Sequence, residues 1–166
     1  VCFEIALKSN NTPSALILTR QGVPVNSLQI DRIIEGVQKG AYIVKETQGN
    51  PDLVLLATGS EVSLAIEVAD ILHDHNVRVI SMPCFELFEQ QSEDYKKSLI
   101  PDRGCMKISI EAGITHGWER YIGINGLSIG IDHYGLSAPY KDLAPEFGFT
   151  PEKVKNRILD HLKNLL

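Results

Sequence analysis

The sequence has few cysteines, no long apolar run and no excess of positive charge, and each shortage removes a class of function. Its three cysteines, Cys2, Cys84 and Cys105, are odd in number and far apart. That pattern fits neither a disulfide framework nor a zinc cluster and points to a reducing compartment. No stretch of about 18 apolar residues occurs, and Val1 to Ser9 carries Glu4 within its short apolar run. Neither a membrane span nor a secretory leader is read, and a cytoplasmic location is expected. Lys plus Arg number 16 against 21 Asp plus Glu, a formal charge of −5, which speaks against a phosphate-backbone footprint and so against nucleic acid as a partner. A Walker loop, a G-x-G-x-x-G turn and a G-x-S-x-G elbow are all missing, and Gly123-Ile-Asn-Gly126 lacks the spacing of any of them.

What is present suits one compact unit, or one unit with a short appendage. The 166 residues are 43% hydrophobic and 22% charged, enough apolar surface for a core and too little charge for disorder. Internal repeats and low-complexity tracts are not visible. The chain opens without Met on what reads as the middle of a helix, as expected of a fragment.

Periodicity organises most of the rest. Leu53-Val-Leu-Leu-Ala57 is a continuous apolar run of the kind a parallel strand shows when both its faces are covered. Thr58-Gly-Ser-Glu61 follows, and then Val62, Ala65, Ile66, Ala69 and Leu72 recur at helical spacing. Val77 to Met82 begins the next strand, which completes a βαβ unit. Met106 to Ile110 and Leu127 to Ile131 read as later strands, with a helical stretch around Gln90 to Leu99. Alternation of this kind implies a mostly parallel sheet with helices on both faces. Thr150-Pro-Glu152 opens a C-terminal helix whose apolar face is Val154, Ile158, Leu159, Leu162 and Leu165.

The front of the chain reads differently. Ala15 to Leu18 is a strand followed by no helix but by Thr19-Arg-Gln-Gly-Val-Pro24 and a polar linker to about Gly40. Ile30, Ile33 and Ile34 form one helical turn within that linker, and Tyr42 to Lys45 resumes as a short strand. The expected division is a remnant of a preceding domain at 1–24, a linker at 25–40 and a domain at 41–166.

Few residues carry chemistry. Thr58-Gly59-Ser60, between a strand end and a helix start, is either an anion-binding turn or only a turn. Thr58 and Glu61 have capping-box spacing, and Glu61 would compete with an anion. His73 and His75 do not share a helical face, so metal binding there is not expected. Glu111 and His116 could act as acid and base at a sheet edge, but no nucleophile accompanies them. Glu86, Glu89, Glu93 and Asp94 read as a solvated helical face. Arg20, next to Gln21 and ahead of Pro24, suits bidentate recognition of a phosphate or carboxylate, or equally an ion pair to a neighbouring domain.

Taken in order, these residues resemble the transketolases. Ala15-Leu-Ile-Leu-Thr-Arg-Gln-Gly-Val-Pro24 is similar to the segment that ends the middle, pyrimidine-binding domain of that family. Gly40-Ala-Tyr-Ile-Val44, Asp52 to Val62, Ser81-Met-Pro83, Phe88, Gln91 and Tyr95 follow in register. So do Ile110-Glu-Ala-Gly113, Trp118, Tyr121-Ile-Gly123, Gly130-Ile-Asp132, Gly135, Ser137-Ala-Pro139 and Phe147-Gly-Phe-Thr150. Each piece is common, whereas the ordered set is specific and covers nearly the whole chain. Thr19 stands where the family usually has serine, and His133-Tyr134 departs from a residue-phenylalanine pair before Gly135.

The resemblance implies an α/β three-layer sandwich, a five-stranded mostly parallel sheet with one antiparallel strand, for which Tyr42 to Lys45 is the candidate. It implies the last quarter of a homodimeric enzyme that moves a two-carbon ketol unit from a ketose phosphate to an aldose phosphate in the pentose phosphate pathway. Thiamine diphosphate and a divalent cation, Mg or Ca, belong to the full-length enzyme and none to this chain, because the family's cofactor and catalytic residues lie in parts that this sequence does not match. No catalytic residue is carried over. One substrate-binding residue is: Arg20 matches the arginine that holds the sugar phosphate, so sugar phosphates, the rest of the chain and a second subunit are the expected partners, with no nucleic acid or membrane. Two other readings are a non-catalytic interface or anion-binding regulatory module, and the C-terminal domain of deoxyxylulose-phosphate synthase or of a 2-oxoacid dehydrogenase β subunit. Arg20-Gln21 and Ser137-Ala-Pro139 favour transketolase over the latter.

Overall fold

The computed structural model describes residues 1–25 and 28–165, so residues 26 and 27 of the expected linker and residue 166 of the expected domain lie outside the described residues. The chain order is α1 (Cys2–Lys8), α2 (Ile30–Gln38), β1 (Tyr42–Lys45), β2 (Leu53–Ala57), α3 (Glu61–Ile71), β3 (Val77–Ser81), α4 (Phe85–Glu89), α5 (Glu93–Leu99), β4 (Met106–Ile110), α6 (Glu119–Ile122), β5 (Leu127–Ile129), α7 (Tyr140–Glu146) and α8 (Pro151–Asn164).

The strands form a five-stranded sheet ordered β1-β3-β2-β4-β5, with β1 antiparallel to β3 and every other pair parallel. This is the expected architecture, including the identity of the antiparallel strand. β2 lies in the middle and all five of its residues are buried. Because a strand alternates its side chains, Leu53, Leu55 and Ala57 enter one core and Val54 and Leu56 the other. The first core is closed by Leu64, Ala65 and Val68 of α3 and by Val154 and Ile158 of α8. The second is aromatic: Phe88 of α4, Trp118, and Tyr121 of α6 pack with Ile80 and Leu99, and Phe85 meets Trp118 edge to face at 4.9 Å between centroids.

The route into the sheet depends on two glycines. A Cβ at Gly36 of α2 would lie 2.3 Å from Tyr42 Cγ, so only glycine lets the helix lie this close to β1. Gly40 ends the same helix at φ +83, and a Cβ there would come within 2.4 Å of both the Cys84 carbonyl oxygen and the Phe88 nitrogen. Its left-handed conformation and its close approach to α4 each demand glycine.

Several expectations are corrected. Ala15 to Leu18 is exposed and irregular, not a strand, because no neighbouring strand offers it a ladder. The single turn expected around Ile30 is the nine-residue α2. The helical stretch at Gln90 to Leu99 starts only at Glu93, where Ser92 Oγ accepts the Tyr95 N–H at 3.3 Å, and a separate α4 precedes it. β5 ends at Ile129, short of Ile131. Glu89 does not belong to a merely solvated face: it is half-buried and pairs with Lys96 and Arg120 at 3.4 and 3.5 Å. Thr150 is the N-cap residue of α8 and Pro151 its first residue, although the threonine hydroxyl makes no capping bond.

Two stability measurements follow from this packing. Trp118, the sole tryptophan, is buried and donates its indole N–H to Glu111 Oε2 at 2.7 Å. Glu111→Ala should strand that donor and cost about 1–3 kcal/mol in urea unfolding followed by tryptophan fluorescence; an unchanged midpoint would show that the bond is not made. Gly40→Ala should cost more than about 1 kcal/mol, since it adds backbone strain to the overlap with Cys84 and Phe88. Gly22→Ala, where nothing lies within 4 Å, is its control.

Candidate functional site

The loops that leave the carboxyl ends of β2, β4 and β5 meet at one edge of the sheet, the place where open α/β sheets bind ligands. Thr58-Gly59-Ser60 turns from β2 into α3, with Gly59 at φ +57. Ser60 is the helix N-cap residue and has an αR backbone, and its side chain makes no capping bond.

The capping box suggested by Thr58 and Glu61 is not formed. Glu61 is 7% exposed, and its carboxylate accepts the Ser60 hydroxyl at 2.8 Å and, across the edge, the Ala112 N–H at 3.1 Å. Its own N–H donates to the Thr58 carbonyl at 3.2 Å. The positive end of the α3 dipole therefore already faces a carboxylate of the same chain, and an anion arriving at the turn would meet that charge.

Three more carboxylates fasten the loop after β4. Glu111 holds the Trp118 indole, as described above, and no hydrogen bond joins it to His116, which is exposed. The acid–base pairing of these two residues is thus not assembled. Asp132 accepts the Thr115 N–H at 2.8 Å and the Thr115 hydroxyl at 2.9 and 3.0 Å, and these donors, the backbone one first, lower its carboxyl pKa. Gly117 donates its N–H to Glu119 at 2.7 Å; backbone N–H donation, from Glu119 itself and then from Gly117, lowers the Glu119 pKa as well. The Thr115–Asp132 and Glu61–Ala112 fasteners are invisible to sequence reasoning, since partners 17 and 51 residues apart leave no local signal.

The other reactive groups are quiet. Burial pushes the thiols of Cys84 and Cys105 up, away from thiolate character, and Cys84 donates to Glu86 Oε2 at 3.4 Å. Burial, followed by the neighbouring Glu89, pushes Tyr121 up to about 12. Among the described residues no group of three His, Cys, Asp or Glu could hold a metal ion. His73 and His75 follow the end of α3 and join no such group. The described residues therefore do not gather a ligand cluster for a divalent cation.

Arg20 lies apart from these loops in the irregular segment between α1 and α2. It is exposed, and no hydrogen bond or ion pair among the described residues engages its guanidinium. The Thr19 hydroxyl donates to the Gln21 carbonyl at 3.1 Å, closing a small turn whose apex is Arg20. The structure does not join Arg20 to the Thr58-Gly59-Ser60 turn by any hydrogen bond. What the arrangement offers chemically is the exposed guanidinium of Arg20, which is one of several unengaged arginines among the described residues, and a set of loops held by hydrogen bonds.

Comparison with known proteins agrees with this fold. The transketolase-like TK C-terminal domain family matches residues 40–150. The transketolase of Aquifex aeolicus is 44% identical over 160 residues, covering 95% of this chain and 23% of that protein, and the Staphylococcus aureus (strain MW2) transketolase is 45% identical over 161 residues, covering 96% and 24%. The transketolase structure from Leishmania mexicana superposes with a TM-score of 0.87 at 38% identity, covering 98% of this chain and 23% of that one. A Pichia stipitis transketolase variant solved in complex with fructose-6-phosphate also gives 0.87, at 34% identity and the same coverage. The chain spans about a quarter of the length of the relatives it matches. It belongs to the transketolase family and matches that family in its C-terminal domain.

Proposed function

We propose that this chain is the C-terminal quarter of a thiamine-diphosphate-dependent transketolase and that its direct contribution to the reaction is to anchor the substrate phosphate through Arg20. The observation that carries the proposal is the pairing of an ordered family match over nearly the whole chain with a guanidinium that is exposed and unengaged. A planar guanidinium presents two parallel N–H donors to a phosphate, which fixes orientation as well as charge. The relative from Pichia stipitis solved with fructose-6-phosphate supports a sugar phosphate as the substrate class.

On this reading residues 1–24 belong with a preceding domain, 25–40 link it, and 41–166 form the C-terminal domain. Phe3, Leu7, Ile17 and Leu18 are exposed, as expected of a segment whose packing partner lies in another domain. Thiamine diphosphate and its divalent cation are held by the remainder of the polypeptide, in a homodimer and in the cytoplasm, within the pentose phosphate pathway. Holding the phosphate restricts the sugar to one orientation at the reacting centre, and this remote contact assists the chemical step only as far as it strengthens in the transition state. The alternative of an anion site at Thr58, Gly59 and Ser60 is less favoured, because Glu61 already supplies the negative charge there.

Calorimetric titration of the 166-residue chain with thiamine diphosphate and Mg should be flat, and saturable micromolar binding would contradict the assignment of the cofactor site to the missing part. In the full-length enzyme, Arg20→Ala should lower kcat/KM for a phosphorylated ketose by roughly one to two decades, the equivalent of about 1.5–3 kcal/mol for a charge-assisted hydrogen-bonded pair. Hydroxypyruvate, which has no phosphate to lose, should be nearly indifferent. Equal losses for both donors would make Arg20 a structural residue at the domain junction.

A further inference from the structure

We propose that Asn125 is a site of spontaneous modification, at which the Gly126 nitrogen closes on the asparagine side chain to give a succinimide and then an aspartate or isoaspartate, with His161 assisting the ring closure. Asn125-Gly126 is the only Asn-Gly pair in the sequence. It lies in the turn between α6 and β5, at the amino edge of the sheet, and Asn125 is exposed. Glycine follows the asparagine for a structural reason. A Cβ at Gly126 would come within 2.5 Å of the Ile122 Cβ and 2.6 Å of the Ile122 carbonyl oxygen. The turn therefore cannot shield this amide with a side chain, and its bare nitrogen is open to the neighbouring carboxamide.

His161 of α8 supplies the second observation. Its Nε2 lies 2.9 Å from the Asn125 carbonyl oxygen. A carbonyl oxygen only accepts, so Nε2 carries the hydrogen and donates it. That oxygen belongs to the same peptide unit as the attacking Gly126 nitrogen, and amide conjugation links the two atoms. When the nitrogen gives up its proton, negative charge passes to the oxygen, where the imidazole N–H already points. The Gly126 N–H donates to the Gly123 carbonyl at 3.2 Å, at the long end of the hydrogen-bond range, and this bond opens for the attack.

The step balances with water as its only co-reactant. The bond from the Gly126 nitrogen to Asn125 Cγ forms, the bond from Cγ to Nδ2 breaks, and Nδ2 leaves as ammonia after taking up the proton that the Gly126 nitrogen releases through water. One water then opens the cyclic imide at either carbonyl, which leaves aspartate or isoaspartate. Asn125 and Gly126 line an open cleft of about 500 Å3 with Cys105, Met106 and Leu162, through which that water arrives. Either product places a carboxylate beside His161. Isoaspartate also lengthens the main chain immediately before β5, a three-residue edge strand that pairs with β4 from Leu127 opposite Ile108. Asn76 is the internal reference: its N–H donates to Asp52 at 2.9 Å, its side-chain oxygen accepts the Thr47 hydroxyl at 3.2 Å, and the β-branched Val77 follows it.

Peptide mapping by mass spectrometry, during prolonged incubation of the full-length protein at neutral pH, tests the proposal, with isoaspartyl methyltransferase labelling to count the isoaspartate. Asn125 should convert over a period in which Asn76 stays intact. His161→Leu should slow the conversion by roughly threefold to tenfold, the rate equivalent of one hydrogen bond in the transition state. That difference should vanish in concentrated urea, where α8 no longer meets the turn. Conversion at Asn125 no faster than at Asn76 would overturn the site. An equal or faster rate in His161→Leu, or an effect of His161 that survives in urea, would overturn its assistance. Ketol transfer plays no part in the readout, so the outcome is independent of the enzyme reading.

Discussion

The complete burial of β2 governs the rest of the architecture. A five-residue strand with apolar side chains on both faces has to be covered twice, so the chain must supply helices to each side of the sheet and must flank β2 with strands on both edges. β3 and β4 flank it in parallel register, α3 and α8 cover one face, and α4, α5 and α6 cover the other. The parallel arrangement brings the carboxyl ends of β2, β3, β4 and β5 to one edge, and it is there that the loops with the most specific fastening occur.

Those fasteners give the edge its character. Carboxylates at a strand end are natural candidates for acid–base chemistry, and Glu61, Glu111 and Asp132 have the right positions for it. Each instead accepts hydrogen bonds from a backbone, hydroxyl or indole donor of a neighbouring loop. A carboxylate that is occupied in this way orients the chain around it. On the proposed reading the C-terminal domain is a scaffold, and the guanidinium assigned to the substrate phosphate, Arg20, lies outside its sheet. This division of labour agrees with the span of the chain, about a quarter of its relatives' length.

How much of this was legible in the sequence follows from the range of the forces involved. β2, β3, α3 and α8 were readable because burial imposes a period on contiguous residues, as in Val154, Ile158, Leu159 and Leu162. Tyr42 to Lys45 reads as a short strand from its residues, and the family resemblance supplies its antiparallel direction, which a four-residue strand does not announce by itself. The short helices α4, α6 and α7 escaped notice, having too few turns for a periodic signal. Ala15 to Leu18 differs for the opposite reason: its composition favours a strand, but a strand also requires a partner, and none of the described elements provides one. The capping box at Thr58 and Glu61 is not formed because Ser60, not Thr58, is the N-cap residue of α3, and the Glu61 carboxylate accepts the Ser60 hydroxyl and the distant Ala112 N–H.

The central claim is that Arg20 is where a substrate phosphate meets this part of the protein. Its most direct test is an experimental structure of the full-length polypeptide with a ketose phosphate bound. Two guanidinium nitrogens of Arg20 at hydrogen-bonding distance, about 2.7–3.2 Å, from phosphate oxygens is the expected result. A bound sugar phosphate whose phosphate is held by other residues, with Arg20 paired to a protein carboxylate, would contradict it.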